Sequence, residues 1–319
     1  MKRLGYALLL CLLLLVGGRA HAQSCTATAS PVSFGNVSPI TGASVAATGT
    51  VGITCTWPAV TLTPFVQVCL NLSVASPRFM SDGSNTMQYD LYQDNAHSLA
   101  WGSVSNGTTP ISAQLGKPAL GTSASTTVTY YGLIAANQPT VPSVNNGSTV
   151  YSQSFSGSQV SLNYGFYTLV APSCASLTTS NGSFPFTASA TVVNNCLISA
   201  SDVSFGTAGV LRSSLTATGS ISATCTNGDA FRISLNSGSS GNVAARALQR
   251  QGGGGAVNYQ LYTDSARSIP WGDGTAGTSM VTGTGSGNAQ AISVYGMVPA
   301  QATPAPGNYS DTITATIVF

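Results

Sequence analysis

The sequence predicts an all-β protein of two immunoglobulin-like antiparallel β-sandwich domains, the C-terminal one lacking its last strand. Three observations lead there. Only 6% of the 319 residues are charged and none is Glu, while Ser, Thr, Gly and Asn abound and apolar residues come in short β-branched runs. That composition excludes a helical protein and a disordered chain kept soluble by charge. Strand-length alternating runs are separated by Gly, Asn, Ser and Pro turn clusters, and no stretch of a dozen residues has helical spacing. Finally, the chain contains the same domain twice.

At the N-terminus, Lys2 and Arg3 precede an apolar run from Leu8 to Val16, followed by Ala20-His21-Ala22. This is the pattern of a secretory signal peptide over residues 1–22, with the mature chain starting near Gln23. No later run reaches the roughly 18 apolar residues of a membrane span. The signal takes Lys2, Arg3 and Arg19 of the ten basic residues, which leaves seven against eight Asp and no basic cluster. Neither nucleic acid nor anionic lipid has an electrostatic footprint here. Cys11 leaves with the signal, and the six remaining cysteines of an exported chain read as disulfides.

The duplication fixes the domains at 23–175 and 183–319. Residues 25–35 read C-T-A-T-A-S-P-V-S-F-G and residues 196–206 read C-L-I-S-A-S-D-V-S-F-G. Y-D-L-Y-Q-D-N-A-H-S-L-A-W-G from Tyr89 matches Y-Q-L-Y-T-D-S-A-R-S-I-P-W-G from Tyr259. Tyr131-Gly132-Leu133 matches Tyr295-Gly296-Met297, and Tyr151-Ser152 matches Tyr309-Ser310. Cys25 and Cys55 stand where Cys196 and Cys225 stand, predicting one disulfide per copy that closes about 30 residues and is worth on the order of 3–4 kcal/mol. Cys69 and Cys174 lack counterparts and pair by elimination. The linker is expected between Cys174 and Phe184.

The ends of the two copies differ. The first continues past its Tyr-Ser strand into Val160, Leu162, Tyr164 and Phe166, a further alternating run, for which the second copy has nothing. Conversely Phe184, Phe186, Ala188, Ala190 and Val192 are expected to form a strand leading into Cys196. The chain closes on D-T-I-T-A-T-I-V-F, which sets Ile313, Ala315, Ile317 and Phe319 on one face of a half-buried strand. A domain one strand short exposes unpaired backbone groups and an apolar groove, a hazard unless another chain fills it.

Three connections are longer by six residues in the first copy: Cys55 to Cys69 is 14 positions against 8 from Cys225 to Ile233, Trp101 to Tyr131 is 30 against 24, and Tyr131 to Tyr151 is 20 against 14. The added residues are apolar. Trp57, Val60, Leu62 and Phe65 lie in the first, Leu115 and Leu120 in the second, Val141 and Val144 in the third, with prolines among them. Apolar side chains on connections that face water suggest a surface-binding patch, and the prolines lower the entropy lost on contact. The competing reading is that Trp57, Leu62 and Phe65 cover the domain's own core.

Catalytic chemistry is not expected. The mature chain has one histidine, His97, whose counterpart is Arg267, so no triad or metal site is built on it. Asp94 belongs to a hairpin turn shared with Asp264. Without Glu, a carboxylate pair for glycoside hydrolysis has few candidates. Gly252 to Gly255 lack the Lys-Ser/Thr of a phosphate loop. Trp101 and Trp271 occur in both copies and are assigned to packing. No cofactor, metal or nucleic acid is expected.

The Cys plus Phe-Gly opening, the Tyr-x-Leu-Tyr-x-Asp hairpin and the ending G-N-Y-S-D-T-I-T-A-T-I-V-F, in order across the mature chain, resemble the spore coat protein U-like domain family. The two-domain tip adhesins of archaic (Csu-type) chaperone-usher pili are the particular likeness. The resemblance implies export through the periplasm to the cell surface at a pilus tip. It implies a periplasmic pilus chaperone, an outer-membrane usher and an adjacent pilin subunit that donates its N-terminal strand by β-augmentation. The C-terminal domain would accept that strand along the edge of Ile313, Ala315, Ile317 and Phe319. With only Gln23 and Ser24 ahead of the first strand, the chain is expected to accept a strand and not donate one, hence to sit at the tip. Adhesins of this kind use hydrophobic finger loops, so an abiotic or host surface is the expected target. Two other classes stay open: a spore coat or other secreted structural protein, and a secreted carbohydrate-binding sandwich using Trp57 and Phe65.

Overall fold

A computed structural model of the chain describes residues 23–319; the expected signal peptide lies outside the described residues. The first domain is built from β1 (Ser24–Ala29), β2 (Val32–Val37), β3 (Val45–Thr56), β4 (Phe65–Leu72), β5 (Arg78–Ser81), β6 (Thr86–Tyr92), β7 (Ile111–Gly116), β8 (Ser123–Ile134), β9 (Thr149–Phe155), β10 (Val160–Tyr167) and β11 (Phe186–Val192). The second contains β12 (Cys196–Ala200), β13 (Leu215–Cys225), β14 (Ala230–Leu235), β15 (Arg246–Arg250), β16 (Ala256–Tyr262), β17 (Val281–Thr284), β18 (Gln290–Val298), β19 (Tyr309–Ser310) and β20 (Ala315–Val318). In the first domain an eight-stranded sheet in the order β1-β3-β8-β6-β5-β9-β11-β2 faces a three-stranded sheet, β10-β4-β7. The second repeats this as β12-β13-β18-β16-β15-β19 over β17-β14-β20. This is the all-β, two-domain architecture that alternation and turn chemistry predict.

Strand for strand, β3 to β10 correspond to β13 to β20. Ser81 of β5 pairs Ser152 of β9 as Gln249 of β15 pairs Ser310 of β19. Leu162 of β10 pairs Leu70 of β4 as Ile317 of β20 pairs Ile233 of β14. The second domain therefore does have a counterpart of the Val160–Phe166 run, contrary to the sequence expectation. A shorter connection between β19 and β20 hid the match.

What the second domain lacks, among the described residues, is a counterpart of β11. The run from Phe186 to Val192 does not lead the second domain; it completes the first. It pairs antiparallel with β9 and parallel with β2, burying Phe186, Ala188, Ala190 and Val192. The structural boundary thus falls at residues 193–195, not between 175 and 183. In the second domain the Val203–Gly206 segment, which matches Val32–Gly35 of β2, forms no strand, because no β11 lies beside it.

Each core is organised around the same tryptophan. Trp101 Nε1 donates to the Leu70 carbonyl at 2.8 Å, and Trp271 Nε1 to that of Ile233 at 3.0 Å. Below each lies a buried arginine that sequence analysis passed over. Arg78 pairs with Asp90 and donates to the Trp101 carbonyl. Burial pulls its guanidinium down from the ordinary arginine value, and Asp90 opposes that shift. Arg246 meets Gln260 at the Asp90 position and donates to the carbonyls of Trp271 at 2.9 Å and Asn236 at 2.7 Å. Gly132 and Gly296 are required by close approach: a Cβ would stand 2.7 Å from the Phe34 ring and 2.8 Å from that of Phe205.

Among the described residues three disulfides are formed. Cys25–Cys55 and Cys196–Cys225 join directly opposed residues of β1/β3 and β12/β13, and Cys69–Cys174 ties the segment after β10 across β4.

Trp57 and Leu115, expected on a binding surface, are core residues. Trp57 extends the inward alternation of Val51, Ile53 and Cys55 past the end of β3 and packs edge-on against Phe166 at 5.7 Å. Leu115 lies within β7, opposite Val66 of β4, and faces the core. Trp57→Ala is expected to destabilise the first domain by about 3–5 kcal/mol, read from urea unfolding. Asp90→Ala, which strands the buried Arg78 charge, is expected to remove about 3–5 kcal/mol; a loss under about 1 kcal/mol would contradict the buried pair.

Candidate functional site

Two features stand out from the folded surface: an exposed apolar loop cluster on the first domain and an open sheet edge on the second.

The cluster follows from strand pairing. Opposition of Phe65 to Gly116 and of Thr56 to Ser123 brings the 57–64 and 117–122 loops together. Trp57 N donates to the Thr122 carbonyl at 2.8 Å, and Lys117 N to that of Pro64 at 2.7 Å. Tyr167 opposes Phe65, so the chain leaving β10 joins them, with Thr168 Oγ1 donating to the Leu62 carbonyl at 2.7 Å. At the tips Val60 is 87% exposed, Leu62 86%, Leu120 93%, Leu169 89% and Val170 82%. Phe65, half-exposed, stacks on Tyr167 with ring centroids 5.6 Å apart. The loops are braced from below: Gln23 Nε2 donates to Thr61 Oγ1 and Thr63 Oγ1, both at 2.8 Å.

Leu169 and Val170 were missed by sequence analysis, since that segment has no counterpart in the repeat. Two adjacent apolar residues close before Pro172 and Cys174 were the available signal.

The third insertion does not join this cluster. It follows β8, whereas the 117–122 loop precedes it, and twelve residues of strand separate the two by about 40 Å. Val141 is buried, because this loop docks on the second domain, while Val144 stays exposed. Pro142 bridges to Asn227, Asn227 Nδ2 donates to the Thr140 carbonyl at 2.8 Å, and the Ala230 N–H donates to Asn146 Oδ1 at 2.9 Å. Ser143 Oγ donates to Asp229, whose carboxyl is buried and pushed up by that burial, with the Ser143 bond opposing.

The open edge lies at β19. In the first domain β9 meets β5 on one side and β11 on the other; among the described residues β19 meets β15 alone and ends its sheet. The residues that β11 would cover stay half-buried: Tyr309, Ile313, Ala315 and Ile317, and across from them Val203 and Phe205. Their counterparts Tyr151, Phe155, Val160, Leu162, Val32 and Phe34 are buried. Of the expected acceptor edge, then, Ile313, Ala315 and Ile317 line the uncovered core, while β20 itself is paired to β14 and Phe319 is exposed. The unpaired backbone belongs to Tyr309–Ser310.

The positions weighed for catalysis are turn residues. Asp94 accepts from the Leu99 and Ser98 backbone N–H groups, the Leu99 bond first among the causes that hold its carboxyl below the ordinary value. His97 sits in that turn at φ 54°, as Arg267 sits in the matching turn at φ 56°. Among the described residues no three His, Cys, Asp or Glu side chains come together as a metal site.

Comparison with known proteins agrees with this fold. The family model for the Spore Coat Protein U domain matches residues 12–152 and 182–316, once per repeat. Protein U of Myxococcus xanthus is 37% identical over 108 residues, 32% of this chain and 59% of that protein, so the match spans less than two thirds of its length. A crystal structure of the CsuC-CsuE chaperone-tip adhesion subunit pre-assembly complex, from archaic chaperone-usher Csu pili of Acinetobacter baumannii, is similar in fold. It aligns at a TM-score of 0.51 and 18% identity over 93% of this chain and 100% of that one. With both repeats matched in order and both folded as sandwiches, the chain belongs to the Spore Coat Protein U domain family.

Proposed function

We propose that this protein is a tip adhesin of a chaperone-usher pilus: its second domain accepts a strand from a neighbouring subunit, and its first domain attaches to surfaces through exposed apolar loops. One observation carries the reading. The same fold occurs twice in one chain, and among the described residues the strand that closes the first copy has no counterpart in the second. An edge of unpaired backbone beside half-covered apolar side chains is a template for β-augmentation. A periplasmic chaperone would hold the edge before an usher delivers the subunit to the fibre.

The position at the fibre end rests on the first domain. Its own edge is met by β11 of the same chain, and the residues from Gln23 onward are engaged within it, Gln23 with Thr61 and Thr63 and Ser24 opposite Thr56. That leaves an acceptor site in the second domain and a free loop cluster in the first.

Adhesion is assigned to Val60, Leu62, Leu120, Leu169 and Val170, with Phe65 at their base. Each such side chain buried against an apolar surface is worth about 1.5–3 kcal/mol, so contact by several at once is adhesive without a specific ligand. Pro58, Pro64, Pro118 and Pro172 keep the loops stiff. A carbohydrate-binding reading now rests on the Phe65–Tyr167 stack beside Gln114, since Trp57 is buried; a glycan array tests it.

Leu62→Ser with Leu120→Ser is expected to abolish attachment of assembled pili to polystyrene while changing stability by less than about 0.5 kcal/mol each, as exposed sites do. Undiminished adhesion by normally assembled pili would refute the loop assignment. Mixed with its pilus chaperone, the chain is expected to form a complex in which the second domain melts higher than in the purified chain alone; no complex and an unchanged melting temperature would refute the acceptor reading.

A further inference from the structure

The first domain contains a template for the strand that the second domain accepts. The inward side chains of β11 are Phe186, Ala188 and Ala190, which oppose Phe155, Gln153 and Tyr151 of β9. The β19 pairing makes Ile313, Asp311 and Tyr309 the matching wall of the second domain. A second observation fixes the same alignment: Tyr89 OH donates to Gln153 Oε1 at 2.6 Å, and its counterpart Tyr259 OH donates to Asp311 Oδ2 at 2.7 Å.

The two walls differ where it matters for an incoming strand. Phe186 sits among aromatic rings, with centroids 4.7 Å from Phe155, 5.4 Å from Tyr130 and 5.8 Å from Trp101. The second domain keeps the tryptophan as Trp271 but has Val294 for Tyr130 and Ile313 for Phe155. The lining side chains are smaller by that difference, although Val203 takes up part of the space over Gly219 that the Tyr130 ring holds over Gly49, so the strand itself must bring volume opposite Ile313. At the next inward position the opposite holds. Phe205 and Tyr259 keep the edge-on contact of Phe34 and Tyr89, at 6.2 Å against 5.9 Å. The Asp311 carboxylate, facing the same position, already accepts from Tyr259 OH, Ser239 N at 2.8 Å and Thr312 N at 2.9 Å. A bulky apolar side chain there would collide with the rings and strip water from a charged group that has no spare donor.

Resting on the acceptor reading above, we infer that the completing strand runs antiparallel to β19 with a fixed size pattern. From its N-terminal end it carries a large apolar side chain opposite Ile313, then small ones opposite Asp311 and Tyr309, with outward residues between.

Peptides copying residues 186–192 test this against the full chain, by titration calorimetry and by the melting of the second domain. The parent peptide is expected to bind and raise that melting temperature. Phe186→Ala and Ala188→Leu in the peptide are each expected to weaken binding by about tenfold or more, whereas the outward Thr187→Ala leaves it within about twofold. If parent and both inward variants bind alike, the size pattern is wrong while the acceptor site stands. If neither the parent nor any other alternating apolar peptide binds, the acceptor reading fails and the pattern falls with it.

Discussion

Backbone N–H and C=O groups at the rim of a sheet must find partners, and the two halves of this molecule meet that requirement differently. In the first domain β11 satisfies two strands at once, antiparallel to β9 and parallel to β2, and sinks four alternating side chains into the core. The second domain has the same tryptophan, the same buried arginine and the same turn at Asp264, yet among the described residues its sheet stops at β19. The differences in pairing and burial along this side of the second domain follow from that one strand. Phe205 keeps its place over Gly296, as Phe34 does over Gly132, but its segment loses strand pairing, and Tyr309, Ile313 and Ile317 stay half-exposed where Tyr151, Phe155 and Leu162 are buried.

The duplication also divides labour between copies. Three connections lengthened in the first domain could have formed one surface, but they lie at opposite ends of β8. Two of them, with the chain after β10, present apolar tips to solvent. The third is spent on the second domain, where Ser143, Asn146 and Thr140 meet Asp229, Ala230 and Asn227. Only three residues separate β11 from β12, so this loop adds a second connection beside a short linker.

Much of this was legible in the residues. Alternation and turn chemistry gave the strands, and the repeat located the disulfides between Cys25 and Cys55 and between Cys196 and Cys225. The missing strand was also read, but misplaced. Alternation in F-T-A-S-A-T-V says that a strand forms there without saying which sheet receives it, and its nearness to Cys196 favoured the wrong domain. The match of β10 with β20 was hidden by the shorter turn after Ser310. Trp57 looked like a loop residue because β3 ends one position before it, although its inward parity continues that of Cys55. Leu169 and Val170 had no repeat partner to expose them as an insertion. Arg78 and Arg246 carry no sequence signal of their own, and their burial shows only once the tryptophan carbonyls that accept from them are in place.

The most direct measurement is hydrogen exchange of backbone amides in the isolated chain. The edges predict that Tyr309, Ser310 and the Val203–Gly206 segment exchange far faster than the matching Tyr151, Ser152 and Val32–Gly35, and become protected when a donor strand is supplied. Equal protection of the two sets in the isolated chain would mean that the second sandwich is already closed, and would contradict the account at its centre.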